Sequence, residues 1–269
     1  MSENSQKNPD EIVKEQARVG FEIYELENWK LFLSALIAGL EIGFSLVLMG
    51  YLHTIFKEIY PDDILGLIVS FGYPIGFIFV IIGRSELFTE QTALAMIPVL
   101  NRSKGFISLL ILWGLVLLGN LVGGLIFSYF FAWFGPAKGF VPVETLVELG
   151  EKFINEPIDI VMGSAILAGW MMGLLGWLIT SVQESISRII LILFITIIIG
   201  MAGLHHCIVG SVEVLTAMWV SDSITVVDYW HFLWPSVLGN LIGGAIFVSV
   251  LKFGLTTNQI SSTRKNINW

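Results

Sequence analysis

The chain has 269 residues, 55% of them hydrophobic and 13% charged, and a mean hydropathy of +0.80. A soluble domain carries about a quarter charged residues, so this composition excludes a water-soluble fold and points to a polytopic membrane protein. A net charge of −8 excludes nucleic-acid binding as a main role, and a single cysteine, Cys207, excludes a disulfide framework or a multi-cysteine metal site.

The polar, acidic opening does not read as a signal peptide, which would begin basic and turn apolar. Residues 1–30 form an N-terminal segment with a helix start at Asn8-Pro9-Asp10-Glu11: a capping Asn, Pro at the first position, then acids in the first turn. Val13, Ala17, Phe21 and Tyr24 fall on one helical face, widened by Ile12, Val19 and Ile23. Lys14, Arg18, Glu22 and Glu25 sit opposite. Such a helix lies either on the cytoplasmic membrane interface or against the ends of a bundle.

Six apolar stretches follow, each long enough for the roughly 20 residues that a membrane helix needs. They are 31–56, 64–100, 105–134, 158–182, 189–219 and 226–253, within a channel domain spanning 31–254; a cytoplasmic tail, 255–269, completes the chain. The second and fifth stretches run well beyond one crossing and hold polar residues at mid-depth, as a helix broken inside the membrane would. With the N-terminus in the cytoplasm, the basic residues inside are Lys7, Lys14, Arg18, Lys30, Arg102, Lys104, Arg188, Lys252, Arg264 and Lys265. Those outside are Lys57, Lys138 and Lys152. Ten against three places both termini in the cytoplasm of a multi-pass cell-membrane protein. The remaining basic residue, Arg84, falls inside a span.

The third span contains Gly119-Asn120-Leu121-Val122-Gly123-Gly124 and the sixth Gly239-Asn240-Leu241-Ile242-Gly243-Gly244, one motif repeated at an offset of 120 residues. The long, interrupted spans correspond as well. Two three-span halves then insert with opposite topology, the inverted-repeat architecture of channels and transporters, with sites at midplane breaks. Within the motif, Gly123, Gly124, Gly243 and Gly244 allow close helix approach, and Asn120 and Asn240 can bond a neighbouring or broken helix. Its main reading is helix packing, not chemistry.

Ionisable residues at membrane depth are expensive and default to functional hypotheses. In the second-span break, Arg84 and Glu86 or Glu90 can neutralise one another, and Glu41 of the first span is a partner for Arg84 or for an unwound amide. Leu87, Phe88 and Thr89 supply an apolar pair followed by a hydroxyl, as a narrow constriction beside one polar contact needs. In the fifth-span break, glycines at 203 and 210 flank His205, His206 and Cys207. Adjacent histidines point about 100° apart on a helix and do not chelate, so no metal or cofactor is expected. Histidine titrates close to neutral pH and suits a proton donor in a pore. An unbroken helix would place His206 and Glu213 on one face.

The Leu87-Phe88-Thr89 loop, the glycine-led His206 element and the paired GNLφGG motifs together resemble the formate/nitrite transporter family, over all six spans. The resemblance implies an aquaporin-like all-α fold, a homopentamer in the lipid bilayer with one pore per protomer, and passage of small monovalent anions or their acids. It makes His206 the central pore histidine and Thr89 its partner. Leu87, with Tyr73, Phe77, Met172 and Ile199, would line the apolar constrictions. Departures mark a divergent branch: His205 where the family has an acid, Gly210 and Gly169 where it has Asn, and Lys152 one residue from the vestibule lysine position. Extra pore-level charge comes from Arg84 and Glu213.

The expected function is a channel or proton-coupled transporter for a small solute, with His206 protonating a weak-acid anion. An acidic loop (Glu144, Glu148, Glu151, Glu156, Asp159) repels anions and keeps a cation or neutral solute as the alternative. No Asn-Pro-Ala element supports a water channel. An intramembrane hydrolase using Ser211 and His206 lacks any nameable oxyanion donor, so no enzymatic role is expected.

Overall fold

The computed structural model describes residues 7–252 and 254. The expected tail at 255–269, Phe253 at the end of the sixth span, and Arg264 and Lys265 of the charge count lie outside the described residues. Every element among the described residues is helical.

The N-terminal helix α1 (Pro9–Tyr24) starts on an Asn8–Glu11 capping box. The first span is α2 (Asn28–Phe56), beginning three residues before the expected 31. The second span is broken into α3 (Asp62–Ser70), α4 (Pro74–Gly83), α5 (Phe88–Leu94) and α6 (Met96–Leu100). The third is α7 (Phe106–Lys138), ending four residues beyond the expected 134. A short helix, α8 (Val143–Glu151), then lies where the sequence indicated only an acidic loop. The second half consists of α9 (Ile158–Ser181), a fifth span split into α10 (Ser185–Met201) and α11 (Cys207–Val220), and α12 (Val226–Ile242), which continues as a π-helical stretch over Gly243–Val250. Among the described residues five helical stretches are long and apolar enough to cross a membrane, and α10 and α11 are each too short alone. This is a polytopic membrane protein of six spans, with the second and fifth interrupted.

The halves are built alike. A Cβ at Gly39 of α2 would lie 2.2 Å from the Asn120 carbonyl oxygen of α7, and one at Gly169 of α9 would lie 2.2 Å from that of Asn240 on α12. Hydrogen is the largest substituent either crossing admits, so Gly169 serves helix packing where the family pattern suggested an Asn. Gly123 and Gly243 press on α2 and α9 in the same way, each with a virtual Cβ about 2 Å from a backbone oxygen of the facing helix. Gly124 and Gly244 face the broken spans of the opposite half: Val212 of α11 and Thr92 of α5 respectively. Each half therefore backs the other's break.

Of the two placements open to α1, the structure shows it packed on the bundle. Ile12 and Val13 join Trp177 of α9 in one buried cluster. Tyr24 donates to the Ala95 carbonyl at 2.8 Å, and burial pushes its hydroxyl up to about 12, so it stays protonated and keeps donating. Lys104 meets Glu25 at 2.7 Å. α1 thus braces the α5–α6 side of the second break. At the opposite end of the bundle, α8 lies on α11, with Gly150 against the Glu213 carbonyl.

Candidate functional site

Both breaks leave backbone groups that helical bonding does not satisfy, and at membrane depth these must be paired within the protein. Asn120 does this for the second span. Its Oδ1 accepts from the Phe88 amide at 2.8 Å, and its Nδ2 donates to the Ala35 and Glu86 carbonyls at 2.7 and 2.9 Å. Asn240 repeats the set on the fifth span, accepting from the Cys207 amide at 2.9 Å and donating to the Ala165 and His205 carbonyls at 2.8 and 2.9 Å. Ser34 and Ser164 complete each clamp by accepting the Glu86 and His205 amides at 3.2 and 3.0 Å. The conserved geometry superposes Glu86 on His205 and Leu87 on His206. Both Asn side chains therefore do more than pack helices: they fix the shape of the breaks.

This clamping brings the starts of α5 and α11 together. Thr89 Oγ1 lies 2.9 Å from His206 Nε2, and both residues are fully buried. His206 is the N-cap of α11, and its Nδ1 accepts the Val209 amide at 3.3 Å. A backbone N–H can only donate, so Nδ1 is bare and Nε2 carries the ring hydrogen. Nε2–H then donates to Thr89, which leaves the Thr89 O–H free to donate in turn. Beside this pair, Phe77 sets its ring edge-on to His206 at 5.2 Å, and Tyr73 stacks on Phe77 at 5.4 Å. Leu87, Phe88, Met172 and Ile199 are all buried in the same core. The result is a polar pair enclosed by apolar walls.

The other expected polar residues are placed differently. His205 points away from the pair, its Nδ1 2.9 Å from Ser164 Oγ and its ring between Phe153 and Phe232. Arg84 pairs with neither Glu86 nor Glu90: it is exposed, in left-handed conformation (φ 62°) as the cap of α4, with no ion pair among the described residues. The chain reverses at Arg84, which turns the guanidinium from the carboxylates that follow. Glu86 instead accepts from Gln91 Nε2 at 2.5 Å, and Glu90 stands half-buried in the first turn of α5. Nor does Glu41 meet Arg84 or an unwound amide: it lies against Gly83, and its Oε2 is buried without a hydrogen-bond partner. His206 and Glu213 are not on one continuous helix, since α11 begins only after His206. Glu213 is buried farther along α11, with Lys152 its one ionic neighbour among the described residues, at 4.0 Å. Gly210, where the family pattern has Asn, makes room for the Phe232 ring. Among the described residues no three His, Cys, Asp or Glu side chains converge to hold a metal.

A family model for formate/nitrite transporters matches residues 10–254. The chain belongs to that family. The inner membrane protein YfdC of Escherichia coli K12 is 31% identical over 249 residues, covering 90% of this chain and 76% of its own. Two solved structures share the fold. An FNT family ion channel superposes with a TM-score of 0.81 at 19% identity, covering 91% of this chain and 98% of the other. A pentameric formate channel with formate bound gives 0.75 at 21%, covering 86% and 98%. Membership of the formate/nitrite transporter family makes the protein a membrane transport protein and not an enzyme, and it accounts for the inverted halves and both breaks.

The sequence did not single out Ser34, Ser164 or α8. Two serines in apolar helices carry no local signal, although Ser34 and Ser164 stand at the same spacing before the crossing glycines Gly39 and Gly169, which could have exposed them.

Proposed function

We propose that the protein is a channel for a small monovalent anion that crosses as its weak acid, with formate and nitrite as the reference substrates. The observation that supports it most is the Thr89–His206 contact at 2.9 Å, enclosed by apolar walls where the two broken spans meet. A bare anion in such walls loses its hydration and is strongly disfavoured, whereas its neutral acid needs only hydrogen bonds. The Thr89 O–H and the imidazole supply them. A proton gained on Nδ1 displaces the Val209 amide and gives an imidazolium. Its Nε2–H passes to Thr89 as the Thr89 O–H passes to the anion. The neutral acid then leaves the pair with the ring hydrogen on Nδ1, and the imidazole recovers its cap once a proton returns to Nε2 and the Nδ1 proton is released.

On this reading five protomers assemble, as in the pentameric formate channel of like fold, and each carries its own pore between α5 and α11. The α1 end, with most of the basic residues, faces the cytoplasm. The test is solute uptake in proteoliposomes, comparing formate, nitrite, lactate, acetate, glycerol and monovalent cations across pH. Weak-acid uptake that rises as pH falls supports the proposal. Uptake of cations or glycerol in preference to acids overturns it.

A further inference from the structure

Glu213 is 1% exposed, and neither of its carboxylate oxygens has a hydrogen-bond donor among the described residues. The Lys152 ammonium, itself about half exposed at the α8 end, lies 4.0 Å from Oε2. The other helices packed on α11, which are α2, α7, α8 and α12, bring no further charged group to act on it. The buried Tyr73 hydroxyl also lacks a partner and lies within electrostatic reach of the carboxylate. Tyr73 in turn stacks on Phe77, whose ring meets His206. Glu213 and Tyr73 therefore stand at the entrance to the aromatic wall, on the α8 side of the Thr89–His206 pair, as buried polar groups with unused hydrogen-bonding capacity.

Such groups are left unpaired in a folded protein only at a cost, and a buried carboxylate is tolerated as a charge only when it is well paired. A single ammonium beyond hydrogen-bond distance pairs it incompletely, which suits a carboxyl group that carries a proton at rest and a charge only briefly. The same ammonium draws anions toward the entrance. We propose that Glu213 is a proton-donating site for a small carboxylate or similar weak-acid anion arriving from the α8 end. The Glu213 O–H bond breaks as an O–H bond forms on the anion. The solute goes on to Thr89 and His206 as the neutral acid, the carboxylate left behind is held by Lys152, and a hydronium ion from the α8-side solution restores its proton. Donor and acceptor of similar acidity exchange a proton with little driving force lost. Solute arriving from the α1 end meets His206 first and takes its proton there. This inference rests on the weak-acid reading above and adds an acid on one side of it.

The test is formate entry into right-side-out and inside-out membrane vesicles, for the wild type and E213Q, across external pH. Gln keeps the shape and cannot give up a proton. From the α8 side, E213Q should be at least tenfold slower near neutral pH. Its rate should climb about tenfold per pH unit of acidification, following the undissociated acid in solution, while the wild type climbs less steeply. Entry from the α1 side should be unchanged, and E213D should recover the shallower pH profile. A merely structural role would scale rates from both sides and leave the slope alone, and that result overturns the proposal, as does an E213Q profile equal to wild type. If E213Q does not assemble, K152M at its half-exposed position gives the second reading: slower entry from the α8 side alone supports the site, and unchanged entry overturns it. Wild-type vesicles that carry no weak acid at all would instead defeat the channel reading itself.

Discussion

In the second span the backbone around Leu87 is held by Asn120 and Ser34; in the fifth, the backbone around His206 is held by Asn240 and Ser164, atom for atom. The side chains mounted on these two frames have little in common. One break presents Leu87 and Glu86, the other His206 and His205. The same frame occurs twice, and the proposed chemistry lies where the copies differ: a histidine on one side, and on the other a threonine two residues beyond the matching leucine. The ends correspond too, with α1 setting Gly20 on the Leu94 carbonyl as α8 sets Gly150 on that of Glu213, but the second half has a buried acid, Glu213, where the first has Leu94.

If the two clamps are equivalent, breaking either should be equally damaging. Asn120→Leu and Asn240→Leu each remove three hydrogen bonds and strand buried backbone groups, at about 1–3 kcal/mol per group. Both variants should fail to give a monodisperse species on size-exclusion chromatography in detergent. A folded, active protein from either one would break the comparison.

Gly39→Ala and Gly169→Ala place a methyl 2.2 Å from a carbonyl oxygen. Prying the helices apart should cost about 1–3 kcal/mol in each half. Thermal unfolding of the purified protein checks this, and a large difference between the two would show that one helix crossing is looser than the other. A smaller contrast separates the serines. Ser34 holds one amide, whereas Ser164 holds both an amide and the His205 ring. Ser164→Ala should therefore lower the melting temperature more than Ser34→Ala, by the worth of one hydrogen bond, about 1 kcal/mol. Smallest of all, Glu148→Gln removes the carboxylate that Lys57 and His53 share at the α8 end. Partly exposed pairs of this kind contribute little, so the melting temperature should move by no more than about 2 °C.

Much of this frame was legible in the sequence. Span lengths follow from apolar runs that must cross a bilayer, and the repeat is visible because GNLφGG has to recur wherever the same helix crossing recurs. The meeting of Thr89 with His206 was available only through the family resemblance and the repeat, since 117 residues separate the two. What the sequence misjudged is instructive. Arg84, Glu86 and Glu90 look like an internal ion pair because they are neighbours in the chain, yet a left-handed residue between helices sends neighbouring side chains apart. Glu213 looked like a partner for His206 on the assumption of helical spacing, and its approach to Lys152 depends on α8, an element hidden in an acidic loop. Serines such as Ser164 act through contacts 41 residues distant, which periodicity does not reveal.

The central claim is that His206, held by Asn240 and facing Thr89, meets the charge of the solute, while His205 on the same frame serves structure. It is tested most directly by formate entry from the α1 side, where the solute meets His206 first, across pH in inside-out vesicles carrying His206→Asn or His205→Asn, each checked for assembly. His206→Asn should abolish uptake or remove its pH dependence, and His205→Asn, whose ring is turned to Ser164, should retain both at reduced rate. Full pH-dependent uptake by a folded His206→Asn protein would contradict the account.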